Sequence, residues 1–146
     1  MPLTLRNVAH RSKRRANSLD LSKMSTILTI CDTCKRENWP REGTVKSDGE
    51  ALLDLVNHAI VDHPELTVRS RSCLMGCDFA CNVTLQAPGK INYVLGTFEP
   101  TEEAAEAILD YAKKYTESET GQVPYKTWPQ GVKGHFRARI YPQEET

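Results

Sequence analysis

The sequence predicts an α/β domain built on a mixed sheet, in the order β-α-β-β-β-α followed by a C-terminal extension. Three observations predict it. First, the β-branched apolar run Ser25-Thr-Ile-Leu-Thr-Ile30 and the alternating run Leu66-Thr-Val-Arg-Ser-Arg71 flank an amphipathic helical stretch. Strand, helix and strand at this spacing imply a right-handed crossover and a parallel pair. Second, Val83–Ala87 and Ile91–Leu95 flank Pro88-Gly89, a strand–turn–strand signature in which glycine takes the positive φ of a type II turn. Third, an acidic start and a basic end mark a further helix after Pro100.

Residues 1–24 carry Arg6, Arg11, Lys13, Arg14, Arg15 and Lys23 against Asp20. Net charge is zero over the 146 residues, so the remainder is acidic. This head has no helical or strand period. It reads as a disordered basic extension, or as a start assigned too early with Met24 the true beginning. Arg14-Arg15 is not followed by an apolar segment, which argues against twin-arginine export. With no secretory signal and no apolar run of membrane-span length, the expectation is a cytoplasmic protein with no membrane partner. The domain is expected over residues 25–142.

Each element has its own cue. Ser25–Ile30 ends on Cys31, and a loop with Trp39-Pro40 and Gly43 follows. Ser47-Asp-Gly-Glu50 is a capping box. Leu52, Leu55, Val56, Ala59 and Ile60 form one stripe of the helix it opens, and Pro64 stops that helix near His63. In the second helix Ala105, Ile108, Leu109 and Ala112 are the expected buried face, with Lys113-Lys114 near its end. Val123–Pro129 is rich in proline and aromatics, and His135–Tyr141 alternates like an edge strand. Lys126, Lys133, Arg137 and Arg139 interleave with Tyr125, Trp128 and Phe136, a pattern shared with single-strand nucleic-acid binders. The acidic body argues against nucleic acid, and a tail packed over the sheet is the preferred reading.

All five cysteines fall in two clusters, Cys31-Asp-Thr-Cys34 and Cys73-Leu-Met-Gly-Cys77-Asp-Phe-Ala-Cys81. Inert burial does not account for that distribution. Thiolates are soft ligands for zinc, Cu(I) and iron–sulfur iron. The crossover carries the ends of both strands to one edge of the sheet, so the two clusters are expected to meet. Two centres compete, a closed four-cysteine zinc site and an iron–sulfur cluster. A dithiol–disulfide oxidoreductase is the third reading, since C-x-x-C beside a βαβ unit is a thioredoxin-like motif. It ranks below the others, because 12 residues separate Cys34 from the Ser47 cap and the helix dipole is not expected to reach the thiols.

The cysteine loop after the first strand, Cys73-Leu-Met-Gly-Cys77 after the second, and the strand pair and helix that follow resemble the thioredoxin-like [2Fe–2S] ferredoxins. More narrowly, the chain resembles the small bacterial DUF1636 family of predicted metal-binding proteins. The shared stretches are Cys31–Cys34, Cys73–Cys81, Ala87–Gly96 and Ala138–Pro142. The resemblance covers residues 25–142 and implies a thioredoxin-like ferredoxin sandwich. It implies a [2Fe–2S] cluster held by Cys31, Cys34, Cys73 and Cys77, with zinc as the alternative. It further implies an electron carrier rather than a catalyst, a redox partner protein linked to cobalamin synthesis, and room for a homodimer. The chain departs from the ferredoxins twice: its first pair is a shorter C-x-x-C, and Cys81 is a fifth metal-ligand candidate. Gly76 would let the backbone approach the centre, Arg69 and Arg71 would offset its charge or form a solvated strand face, and Trp39 and Phe79 would shield it. His58 and His63 are expected to have no ligand role.

Overall fold

The computed structural model describes residues 26–36, 46–75 and 77–143, apart from the side chain of Cys77. The basic head, Trp39, Gly43 and Gly76 lie outside the described residues.

Strand β1 (Thr26–Cys31) leads to helix α1 (Asp48–Ala59), which runs on as a 3-10 turn to Asp62. Strand β2 (Leu66–Arg71) follows, then β3 (Val83–Gln86), β4 (Asn92–Leu95), α2 (Glu102–Glu117) and β5 (Phe136–Ile140). The capping box acts as expected at Ser47, whose hydroxyl accepts the Glu50 N–H at 3.1 Å. Thr101 caps α2 in the same way through the Ala104 N–H at 3.1 Å. The Pro88-Gly89 turn closes with the Lys90 N–H on the Ala87 carbonyl at 3.2 Å, and Gly89 sits at φ 73°, where a side chain would be strained.

The five strands form one mixed sheet in the order β2-β1-β3-β4-β5. β1 and β2 are parallel, as the crossover requires, with Cys31 level with Arg71. The other three pairings are antiparallel. The extension is therefore not an appendage. Its last segment joins the sheet as an edge strand beside β4.

The helices pack against each other and against β1, which places both on one face of the sheet. That face is built from Leu28, Ile30, Val83, Leu85, Tyr93 and Leu95, all buried, and it receives Leu52 and Val56 of α1 and Ala105, Ile108, Leu109 and Ala112 of α2. Burial of such side chains stabilises by about 1.5–3 kcal/mol each. The tail packs Val132 into this core, and Trp128 and Phe136 join Tyr93 and Tyr111 in an aromatic cluster with ring centroids 4.5–6.2 Å apart. Its cations settle over rings, Lys133 over Tyr125, Arg137 over Phe79 and Arg139 over Tyr93.

On the opposite face Arg69 does more than face solvent. Its Nε donates to Thr29 Oγ1 at 2.8 Å and its guanidinium reaches Gln86 Oε1 at 3.3 Å, spanning β2, β1 and β3. Arg71 is exposed, and its guanidinium donates to the Ser70 carbonyl at 2.8 Å. Among the described residues no helix is long and apolar enough to cross a membrane.

Gly49, in the first turn of α1, has Cys31 O so close that an added Cβ would come within 1.9 Å of it. Gly49→Ala should therefore force the helix start away from the cysteine loop and destabilise the chain by about 1–3 kcal/mol in denaturant unfolding, the range for overpacking a tight contact. An unchanged midpoint would mean that the helix and loop are not in contact.

Candidate metal centre

β1 delivers Cys31 at its last residue, and four connections then hold the first cysteine loop. The Cys31 N–H donates to the Asn82 carbonyl at 3.1 Å, and the Asp32 N–H to the Arg71 carbonyl at 3.1 Å. The Gly49 N–H donates to the Cys34 carbonyl at 3.0 Å, and the Ser47 hydroxyl to the Asp32 carbonyl. Just beyond, the Arg36 backbone N–H donates to Asp48 Oδ2 at 2.6 Å, and the Arg36 guanidinium forms an ion pair with the same carboxylate. The start of α1 thus touches the C-x-x-C loop despite the 12 residues between them. Chain separation is not spatial separation here, because the loop folds back onto the helix start. What the helix start binds is the loop's carbonyls.

The second cysteine loop meets the first at two points. The Cys73 N–H donates to Thr33 Oγ1 at 3.0 Å. The Leu74 N–H also acts on Cys31, helping to lower the pKa of its thiol. Both links follow from the parallel register, which sets Arg71 beside Cys31 and starts the second loop alongside the first. The backbones of the two loops therefore meet at one sheet edge.

The thiols divide into an inner group and an outer one. Cys31 and Cys34 are each 2% exposed. Cys81 is fully buried behind them, its N–H on the Phe98 carbonyl at 3.2 Å. Cys73 is exposed and turns its sulfur to Met75 Sδ at 3.8 Å. Cys73 and Met75 both lie in the left-handed region, at φ 60° and 61°. Such strain is of order about 1–3 kcal/mol per residue and persists only where the surroundings impose it. Among the described residues, no three Cys, His, Asp or Glu side chains converge on one cation-sized point.

Electrostatics separate the buried thiols. Burial pushes Cys31 up, but hydrogen bonds from the Cys34 thiol, the Thr33 hydroxyl and the Leu74 and Thr33 N–H groups outweigh it, leaving Cys31 below an ordinary cysteine. For Cys34, burial and the neighbouring Cys31 win, and its pKa rises to about 11 although the Asn82 amide donates to its sulfur at 3.4 Å. Burial carries Cys81 to about 12, with the Asp48 carboxylate adding to the rise. The donor set suits thiolate coordination in one respect. The Asn82 side-chain amide points at sulfur, which is what anionic sulfur requires away from water.

Of the shielding residues, Phe79 is 44% exposed under Arg137, so it lies on the surface. His58 is exposed, and His63 pairs with Glu65 at 3.6 Å. Sequence reasoning missed Asn82 and the Leu74 N–H. The only signal for Asn82 was a polar residue between Cys81 and a buried strand, and a backbone donor leaves no sequence trace.

The raised values of Cys34 and Cys81 fix the alkaline limit of the metal-free chain. Unfolded, both ionise near the ordinary value of 9.0, whereas in the fold they ionise near 11 and 12. Their contribution is fully present below pH about 9 and is lost as pH rises toward 12. Tyr111 and Tyr115, also raised by burial, add to the loss above their ordinary value of 10.0. Denaturant midpoints should fall between about pH 8.5 and about pH 10.5, and Cys81→Ala should flatten that fall.

Three comparisons with known proteins bear on this geometry. The family model described as a protein of unknown function, DUF1636, matches residues 28–142. No curated protein matches the sequence. Among solved structures, the chain is similar to a thioredoxin-like [2Fe–2S] ferredoxin from Aquifex aeolicus, with a TM-score of 0.51, 13% identity, and coverage of 83% of this chain and 97% of that one. At that identity the likeness concerns the fold. Matched over most of its length and folded like a thioredoxin-like ferredoxin, the chain belongs to the DUF1636 family.

Proposed function

We propose that this protein binds a metal centre through its cysteines and works as a [2Fe–2S] electron carrier. The observation that carries the reading is the joining of the two cysteine loops by the Cys73 N–H on Thr33 Oγ1. A 40-residue separation between Thr33 and Cys73 collapses to one hydrogen bond, and both loops carry thiols. The fold shared with a [2Fe–2S] ferredoxin supports the choice of cluster over zinc.

Cys31, Cys34, Cys73 and Cys77 would hold the cluster, with Cys81 a fifth thiol behind the first pair. Bound there, the cluster supplies one-electron exchange. The chain's own groups do the rest. The sheet edge fixes Cys31, and the Cys34 carbonyl is tied to α1. Burial of Cys34 and Cys81 keeps water from the inner side. The N–H groups of Leu74 and Asn82 stabilise negative charge on sulfur. Cys73, Met75 and Phe79 lie on the surface, so a redox partner protein would approach from the side of the second loop.

A second reading, the dithiol–disulfide oxidoreductase, gains from one observation. Cys31 is lowered and Cys34 raised within one C-x-x-C pair, the division between an attacking and a resolving thiol. Their 2% exposure works against it, because an attacking thiolate must reach its substrate.

Anaerobic reconstitution separates these readings. The cluster reading expects a brown protein whose visible absorption dithionite bleaches, with iron and sulfide in equal amounts. Cys31→Ser or Cys73→Ser should lose the colour while keeping the far-ultraviolet dichroism of the native chain. A colourless protein holding one zinc would overturn the cluster in favour of zinc. Insulin reduction that needs Cys31 and Cys34, without any metal, would favour the dithiol.

A further inference from the structure

Asn82 lies between Cys81 and the first residue of β3 and is 2% exposed. It holds both members of the first cysteine pair. Its backbone carbonyl accepts the Cys31 N–H at 3.1 Å, and its side-chain amide donates to Cys34 Sγ at 3.4 Å. The other end of the amide lies toward Gly96. Gly96 brings its backbone against Asn82 Oδ1, close enough that an added Cβ would meet that oxygen at 3.1 Å. With the oxygen turned to Gly96, the nitrogen faces sulfur. The reversed amide would set a carbonyl oxygen against an electron-rich sulfur, and the two would repel.

A donor in this place acts strongly. Cys34 is 2% exposed and Cys81 is fully buried, so little water is present to screen charge on the Cys34 sulfur. Each electron added to a thiolate-held centre spreads negative charge onto its sulfur ligands. An N–H directed at such a sulfur favours the reduced state over the oxidised one and moves the potential upward.

We propose that Asn82 is a positioning residue that sets the charge carried by the Cys34 sulfur, and through it the reduction potential of a centre bound there. The potential rests on the cluster reading given above, whereas the amide–sulfur contact does not.

The test uses the full chain, reconstituted as wild type, Asn82→Leu and Asn82→Asp. Leucine keeps much the same shape without a donor, and aspartate puts an acceptor where the donor was. Spectroelectrochemical titration should give a more negative midpoint for leucine and a still more negative one for aspartate, at equal iron content and unchanged far-ultraviolet dichroism. Equal midpoints in folded, fully loaded variants would overturn the proposal. Should both variants fail to fold, the wild type decides. Labelled with 15N-asparagine and reduced, it should show a nitrogen hyperfine coupling in pulsed electron paramagnetic resonance, and no coupling would overturn the assignment. If the wild type takes zinc and no iron, the cluster reading fails by itself. The Co(II)-loaded chain then judges Asn82. Its sulfur-to-metal charge-transfer band should move to lower energy in Asn82→Leu, and an unmoved band would overturn the role.

Discussion

The parallel pairing of β1 with β2 is the constraint on which the rest depends. Its register sets Cys31 beside Arg71, so two loops distant along the chain leave the sheet at the same height. A slip of one residue would turn every side chain of β2 to the other face. Leu66 would leave the core, and Arg69 would lose Thr29 and Gln86. Register, core and cysteine placement are thus one choice, and Arg69 on the outer face secures it across three strands.

The pocket formed in this way treats identical side chains differently. Cys31 lies where N–H and hydroxyl donors converge, and its anion is favoured despite burial. Cys34 and Cys81 lie deeper and keep their protons to high pH. Cys73 stands outside in water. The divergence comes from where donors and solvent are, and not from the residues themselves.

Most of the fold was legible in the sequence because its cues are local. The Ser47 box, the Pro88-Gly89 turn and the apolar stripes of both helices depend on neighbours three or four residues away, and each stands as expected. The edge position of the last strand was legible from alternation; that it would pair with β4 in the main sheet was not, since pairing partners are chosen by the whole fold. At the site, the cysteine clusters and the meeting of their loops were legible from spacing and crossover handedness. Asn82, the Leu74 N–H and the approach of α1 to the C-x-x-C loop were not, because each is a contact between segments that the sequence shows only as far apart. The shielding role expected of Phe79 failed for the same reason, since its exposure under Arg137 depends on where the last strand folds.

The seam between α1 and the first loop has a dynamic consequence. The Gly49 amide is closed by the Cys34 carbonyl, and the Ser47 hydroxyl by that of Asp32, so the loop cannot lift unless the opening turn of the helix frays with it. Local breathing that would expose the inner sulfurs is therefore tied to loss of helical structure, and the two become one cooperative unit. Deuterium uptake at the Gly49 amide reports directly on how often that unit opens.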